Sequence, residues 1–249
     1  MKNNIALEVQ NISKKFEFKN KSLKDILLNL FTKKEKSTSN QVVLKNISFS
    51  VKKGSAFCIT GPNGVGKSTI LSIILGIIKA DQGTVKTFGK VVAMNELGGG
   101  FHPDLTGRDN VFVNGRLMGN RLSNLKTHFD DIIAFSGLNE FIDRPLRTYS
   151  NGMIARLAFS IIAFTTADII LIDEVLAVGD EQFRKKCINH FRNFKKNGGT
   201  IVMVSHDLGI INNFCDEGIY ISSNIVSPKM NTKDLIEKYI NKVEYHSGL

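Results

Sequence analysis

The chain has 249 residues, with 33 Lys+Arg against 23 Asp+Glu and a formal net charge of +10. That length supports a hydrophobic core without covalent or metal staples, and three widely spaced cysteines in apolar surroundings (Cys58, Cys187 and Cys215) exclude a disulfide framework or a cysteine metal site. The positive balance favours a polyanionic neighbour, but the basic clusters at 14–15, 19–24, 33–36 and 184–186 lack interleaved aromatics or a nucleic-acid module, so each reads as a solvated face and no nucleic-acid partner is expected.

Alternation over residues 6–10 predicts a first strand, and the N-terminal residues before it lack the continuous apolar region of a secretory signal. A second strand is predicted over 43–51. Between the two lies an insert at 20–40, in which Leu23, Ile26, Leu27 and Leu30 fall at i, i+3, i+4 and i+7 behind Ser22, an amphipathic helix with basic flanks that runs into a polar connector. Its apolar face suits packing on the protein's own core, and its flanks suit an anionic membrane surface.

Residues 55–60 read as a buried strand, and 67–77 as a helix. The nine residues that follow the strand are Gly61, Pro62, Asn63, Gly64, Val65, Gly66, Lys67, Ser68 and Thr69, the pattern G-x-x-x-x-G-K-S. Glycines let successive backbone N–H groups converge on phosphate oxygens, a lysine supplies a point charge toward the β- and γ-phosphates, and a serine hydroxyl can ligate Mg²⁺. The helix that follows turns its positive dipole end to the same anion. The longest apolar stretch, 70–78, is broken by Ser72 and Gly76 and falls short of the roughly 20 residues that cross a bilayer.

Strands are expected at 83–88 and 90–94, then helical periodicity from 107 to 164 in three helices beginning near Arg108, Ser123 and Asn151. Strands return at 168–173 and 200–204, separated by a charged helix at 180–196. A last helix is expected over 232–245. Strand–helix alternation around a helical block implies an α/β core with an inserted helical subdomain. We divide a single 1–249 unit into a core (1–95 and 165–230), a helical subdomain (96–164) and a C-terminal helix (231–249).

The strand at 168–173 ends in Asp173 and Glu174. Beside a phosphate loop, Asp173 would hold Mg²⁺ through its water shell, and Glu174 would polarise an attacking water. Tyr149-Ser150-Asn151-Gly152-Met153 opens a helix. It resembles the Leu-Ser-Gly-Gly-Gln signature of the ATP-binding cassette superfamily, and further family markers follow in order: Asp173-Glu174, then Ala177-Val178-Gly179-Asp180, then Ser205-His206-Asp207. The resemblance implies a P-loop NTPase (RecA-like) core with an N-terminal antiparallel β subdomain and an inserted α-helical signature subdomain. It also implies ATP and Mg²⁺ as ligands and a head-to-tail homodimer, in which Ser150 and Gly152 of one copy close on the γ-phosphate held by the other. His206 matches the family's switch histidine, and Asp180 the acid that links the two composite sites. Phe16 is the candidate for stacking on adenine, with Phe18 in competition. Asn151 and Met153 depart from the signature, so contacts of those two side chains are not carried over.

Residues 94–110 contain Glu96-Leu97-Gly98 and Gly100-Phe101-His102-Pro103, followed by Leu105-Thr106-Gly107-Arg108 and Asn110. This run resembles the ATPase subunits of bacterial exporters of O-antigen, capsule or teichoic acid, and places Glu96 where most cassettes carry a Mg²⁺-sensing glutamine. The resemblance implies two copies of a separate transmembrane channel subunit as partners, lipid-linked polysaccharide as the cargo, and a peripheral position on the cytoplasmic face of the membrane. With a C-terminal helix closing the sequence, glycan recognition is expected in the channel subunit. The alternative is a soluble cassette ATPase acting on nucleic acid or ribosomes.

Overall fold

Leu7 and Val9 alternate with more exposed Glu8 and Gln10, as a half-buried strand requires, but the next buried residue is Ile12, three positions on. In the computed structural model, which describes residues 4–18, 39–94, 99–173, 179–222 and 225–247, a bulge absorbs the extra residue. Asn11 takes φ 52° and its N–H donates to Ser48 Oγ at 2.8 Å. Asn46 repeats the device on the facing strand between buried Leu44 and Ile47, with φ 53° and its N–H on Ser13 Oγ at 3.0 Å. The bulges let β1 (Ile5–Phe18) and β2 (Ser39–Lys52) run far longer than the alternation alone predicts. With β4 (Gln82–Thr87) they form an antiparallel sheet of order β2-β1-β4. Phe18 pairs with Ser39, so the insert leaves from the end of this ribbon; the helix expected at 22–31 lies outside the described residues.

The second sheet has the order β10-β8-β3-β7-β6-β5. Its members are β3 (Ala56–Thr60), β5 (Val91–Met94), β6 (Ile169–Asp173), β7 (Thr200–Val204) and β8 (Glu217–Ser222), with short β9 (Ile225–Val226) and β10 (Met230–Asn231) antiparallel on β8. The five longer strands are parallel. Parallel strands covered on both faces read as unbroken apolar runs, and β3 and β7 are buried along their whole length. Phe57 and Ile59 face the antiparallel sheet and α1 (Lys67–Ile74), whereas Ala56 and Cys58 face the helices α5 (Asn151–Ala163), α6 (Glu181–Lys196), α7 (Leu208–Phe214) and α8 (Thr232–Ser247). On that face the thiol pKa of Cys58 is raised by its hydrogen bond with Cys215 and by burial, and burial pushes Cys187 up to about 12. Cys58 and Cys187 are therefore protonated core residues.

Between β5 and β6 stand α2 (Gly107–Leu117), α3 (Leu122–Thr127), α4 (Phe129–Ser136) and α5, around a separate core that includes Val111, Ile132, Leu157 and Ile161. A Thr106–Asp109 capping box starts α2. One helix was expected from Ser123, and two are present. Thr127 Oγ1 bonds back to the Ser123 carbonyl, and the chain leaves helical geometry at His128 (φ −100°, ψ 9°), which turns Phe129 inward.

Candidate functional site

Three adjacent parallel strands end side by side. Val204 of β7 lies between Ile59 of β3 and Asp173 of β6 in register, so the phosphate loop, Ser205-His206 and Asp173 leave the same edge of the sheet. Neighbouring strands sit about 4.8 Å apart, which puts the ends of β3 and β6 on the order of 10 Å from each other. Carboxyl ends of parallel strands are where α/β sheets hold ligands.

The loop's curvature is built by glycine. Gly61, Gly64 and Gly66 have φ of 147°, 78° and 98°. A Cβ on Gly61 would stand 2.0 Å from the Ile221 carbonyl oxygen, and one on Gly66 would stand 2.7 Å from both Val43 Cγ1 and Leu44 Cδ2. The antiparallel sheet thus props the loop from one side and β8 from the other. Gly64 has nothing within 4 Å of its virtual Cβ and lies open to a ligand. Pro62 and Val65 are half-buried, and Asn63 is exposed.

Lys67 is 6% exposed, and its Nζ donates to the carbonyls of Gly61 and Pro62, each at 2.9 Å. The cation is folded across the loop it serves. Gly66 caps α1 without a side-chain bond and no acid occupies the first turn, so nothing of opposite function competes for its N–H groups. Ser68 is exposed at the helix start, and Thr69 is half-buried behind it. Ser68 and Asp173 are hard oxygen donors of the kind Mg²⁺ takes. Mg²⁺ is commonly bound by one or two protein oxygens together with phosphate and water. The donor set fits the ion.

His206 is exposed. Ser205, which precedes it, is buried and donates its N–H to the Ile59 carbonyl at 3.4 Å. Asp207 follows and caps α7, with Oδ1 accepting from the Ile210 N–H at 3.0 Å. Glu174 and Glu96 lie outside the described residues, as does residue 178 next to Gly179. Phe16 is half-buried opposite Gln41, with Lys14 Nζ 5.4 Å from the ring centroid; the side chain of Phe18 is outside what is described.

The remaining candidates occupy helix starts. Ser150 caps α5 by accepting from the Met153 N–H at 3.2 Å, and Gly152 is exposed in the first turn, where a Cβ would meet just Ser150 Oγ at 3.9 Å. Asp180 caps α6 through the Phe183 N–H at 2.8 Å. Within one chain these groups act as caps and leave open faces.

One sequence expectation needs correcting. The basic run at 184–186 is not uniformly solvated. Arg184 Nη2 donates to Asp207 Oδ2 at 3.2 Å, and Lys186 Nζ donates to the carbonyls of Ala134 (3.2 Å) and Phe135 (2.8 Å) while lying 4.4 Å from the Phe135 ring centroid. Desolvation lowers the Lys186 pKa. The partners come from distant segments, so residue type and spacing could not reveal them.

Comparison with known proteins agrees with this geometry. Residues 44–177 match the ABC transporter family. The O-antigen export system ATP-binding protein RfbB of Klebsiella pneumoniae is 47% identical over 198 residues, 80% of each chain. The teichoic acids export ATP-binding protein TagH of Listeria innocua is 35% identical over 246 residues, 98% of this chain and 72% of that protein. Among solved structures, an ATP-binding subunit of an ABC transporter superposes with a TM-score of 0.75 at 17% identity, over 94% of this chain and 93% of the other.

Proposed function

The chain belongs to the ABC transporter family, and from that premise we propose that it is the ATP-hydrolysing subunit of an exporter of lipid-linked polysaccharide, working as a homodimer beneath two copies of a membrane channel subunit. The observation that carries the reading is the convergence of residues 61–69, Ser205-His206 and Asp173 at one sheet edge. The export assignment is supported by the run at 94–110 and by the names of relatives 35–47% identical. No helix among the described residues is long and apolar enough to cross a membrane, which suits a peripheral subunit on the cytoplasmic face. The relatives give the nucleic-acid or ribosome alternative no support.

In this reading the N–H groups of the loop and of α1 bind the phosphates, and Lys67 exchanges its carbonyl partners for phosphate oxygens. Ser68 and Asp173 would hold Mg²⁺, with Glu96 a further candidate ligand from the sequence run at 94–110; bound there, the ion would neutralise charge on the β- and γ-phosphates. Glu174 accepts the proton of the attacking water, and His206 steadies the γ-phosphate. Phe16 stacks on the base. Ser150 and Gly152 of the second copy complete the pocket, where a helix N-terminus and a residue without a side chain allow close approach. Asp180 faces the partner's loop and links the two sites.

Replacing Glu174 with Gln tests the assignment. ATP binding should persist while turnover stops and an ATP-loaded dimer accumulates in size-exclusion chromatography. Undiminished steady-state hydrolysis would refute it.

A further inference from the structure

The segment carrying His206 is tied to the helix that begins at Asp180 by one ion pair. Asp207, the next residue, divides its carboxylate: Oδ1 accepts from the Ile210 N–H, and Oδ2 accepts from Arg184 Nη2 at 3.2 Å. Its own N–H donates to Ser205 Oγ at 3.1 Å, so both neighbours of His206 are fixed. Arg184 stands one helical turn after Asp180, whose carbonyl accepts the Arg184 N–H at 2.9 Å. A rival carboxylate, Glu181, is 4.0 Å from the guanidinium and also lies 3.7 Å from Lys185.

Two features separate this pair from an ordinary surface contact. Arg184 Nε is buried without a hydrogen-bond partner, a pose that carries a desolvation cost and that the bond from Nη2 to Asp207 orients. The side chains are 36% and 44% exposed, so the pair adds little to folding stability. A contact of small stabilising value that fixes a costly pose acts on geometry.

We propose that Arg184 is a positioning residue for hydrolysis: by holding Asp207 it sets the backbone from which His206 meets the γ-phosphate, and it couples that backbone to the helix capped by Asp180. Displacement of Asp180 by the second copy is then transmitted to His206 through one turn of helix and one ion pair. This rests on the ATPase reading above.

ATP turnover by the full-length protein tests the proposal. In Arg184→Gln, kcat should fall about tenfold, with KM for ATP and the urea unfolding midpoint unchanged, as expected when transition-state geometry alone is lost. Arg184→Lys should recover much of the loss. Asp207→Asn keeps the α7 cap, since Asn caps as well as Asp, and should reproduce the defect, with the double variant no worse than either single one. If Arg184→Gln does not fold, Asp207→Asn carries the test alone, together with a salt dependence of kcat in the wild type that the neutral variant should lack. Unchanged kcat in the folded variants, or losses that multiply in the double variant, would overturn the proposal while Lys67→Ala remains inactive. A Lys67→Ala protein that hydrolyses ATP normally would overturn the ATPase reading itself.

Discussion

Lys67 and Gly61 are joined across the phosphate loop by a 2.9 Å hydrogen bond from the ammonium to the backbone carbonyl, and the Pro62 carbonyl takes a second bond of the same length. The loop thereby stores its cation in a site that phosphate must outcompete. Charge-assisted bonds of this kind contribute about 1.5–3 kcal/mol each. Lys67→Ala should therefore weaken ATP binding roughly 10- to 100-fold, read by titration with a fluorescent ATP analogue, and hydrolysis should be lost. Thermal stability in the absence of nucleotide should also fall, because Lys67 is 6% exposed and its bond to the Gly61 carbonyl is buried, so the variant leaves that acceptor without its ammonium donor.

Gly61 is constrained from outside the loop. With φ 147° and the Ile221 oxygen 2.0 Å from a virtual Cβ, Gly61→Ala forces β3 and β8 apart. The expected destabilisation exceeds about 3 kcal/mol. Gly64→Ala also takes a left-handed residue, φ 78°, but meets nothing within 4 Å, so its cost should be about 1–2 kcal/mol. Urea unfolding of the two variants should separate them clearly; equal midpoints would show that β8 does not restrain the loop.

Ser150 has two candidate roles that substitution can divide. As the cap of α5 its hydroxyl satisfies the Met153 N–H at 3.2 Å, and Ser150→Ala should cost about 1 kcal/mol. Ser150→Asp preserves the cap and suits the helix dipole, yet places a carboxylate where the partner's γ-phosphate is expected. Wild-type stability with hydrolysis abolished in Ser150→Asp supports the composite site. Retained hydrolysis confines Ser150 to capping.

The phosphate loop, the acid ending β6 and the small polar turn that opens a helix at Ser150 were legible because each is a local pattern: a glycine spacing, an apolar run closed by an acid, a small polar residue before a periodic segment. What escaped the sequence depends on contacts between distant segments. Val43 and Leu44 brace Gly66, and Asp207 receives Arg184 from another helix. Strand lengths were underread where bulges at Asn11 and Asn46 break the period of two, and Thr127 hid a helix boundary behind continuous periodicity. Glu96, Glu174 and the insert stand on sequence alone.

His190 supplies a pH dependence unconnected with catalysis. It lies on α6 against Phe135, Phe164 and Phe191, at ring-centroid separations of 5.7, 6.1 and 6.1 Å, where α6 meets the helical subdomain. Burial lowers its pKa, and a hydrogen bond with the Ala163 backbone opposes that shift without cancelling it. Lys186, whose ammonium lies 4.4 Å from the Phe135 ring centroid, is a further charged group beside the same aromatic cluster. With the folded value below the unfolded one near 6.5, the unfolded state takes up protons first. The associated stability is present in full above that value and is lost as the pH falls through the folded value. Unfolding midpoints between pH 7.5 and 5 should fall more steeply for the wild type than for His190→Phe, which keeps the aromatic packing and cannot protonate. The missing hydrogen bond to Ala163 shifts the variant's curve by a constant, so the slopes remain comparable, and parallel curves would show that His190 carries no part of the acid sensitivity.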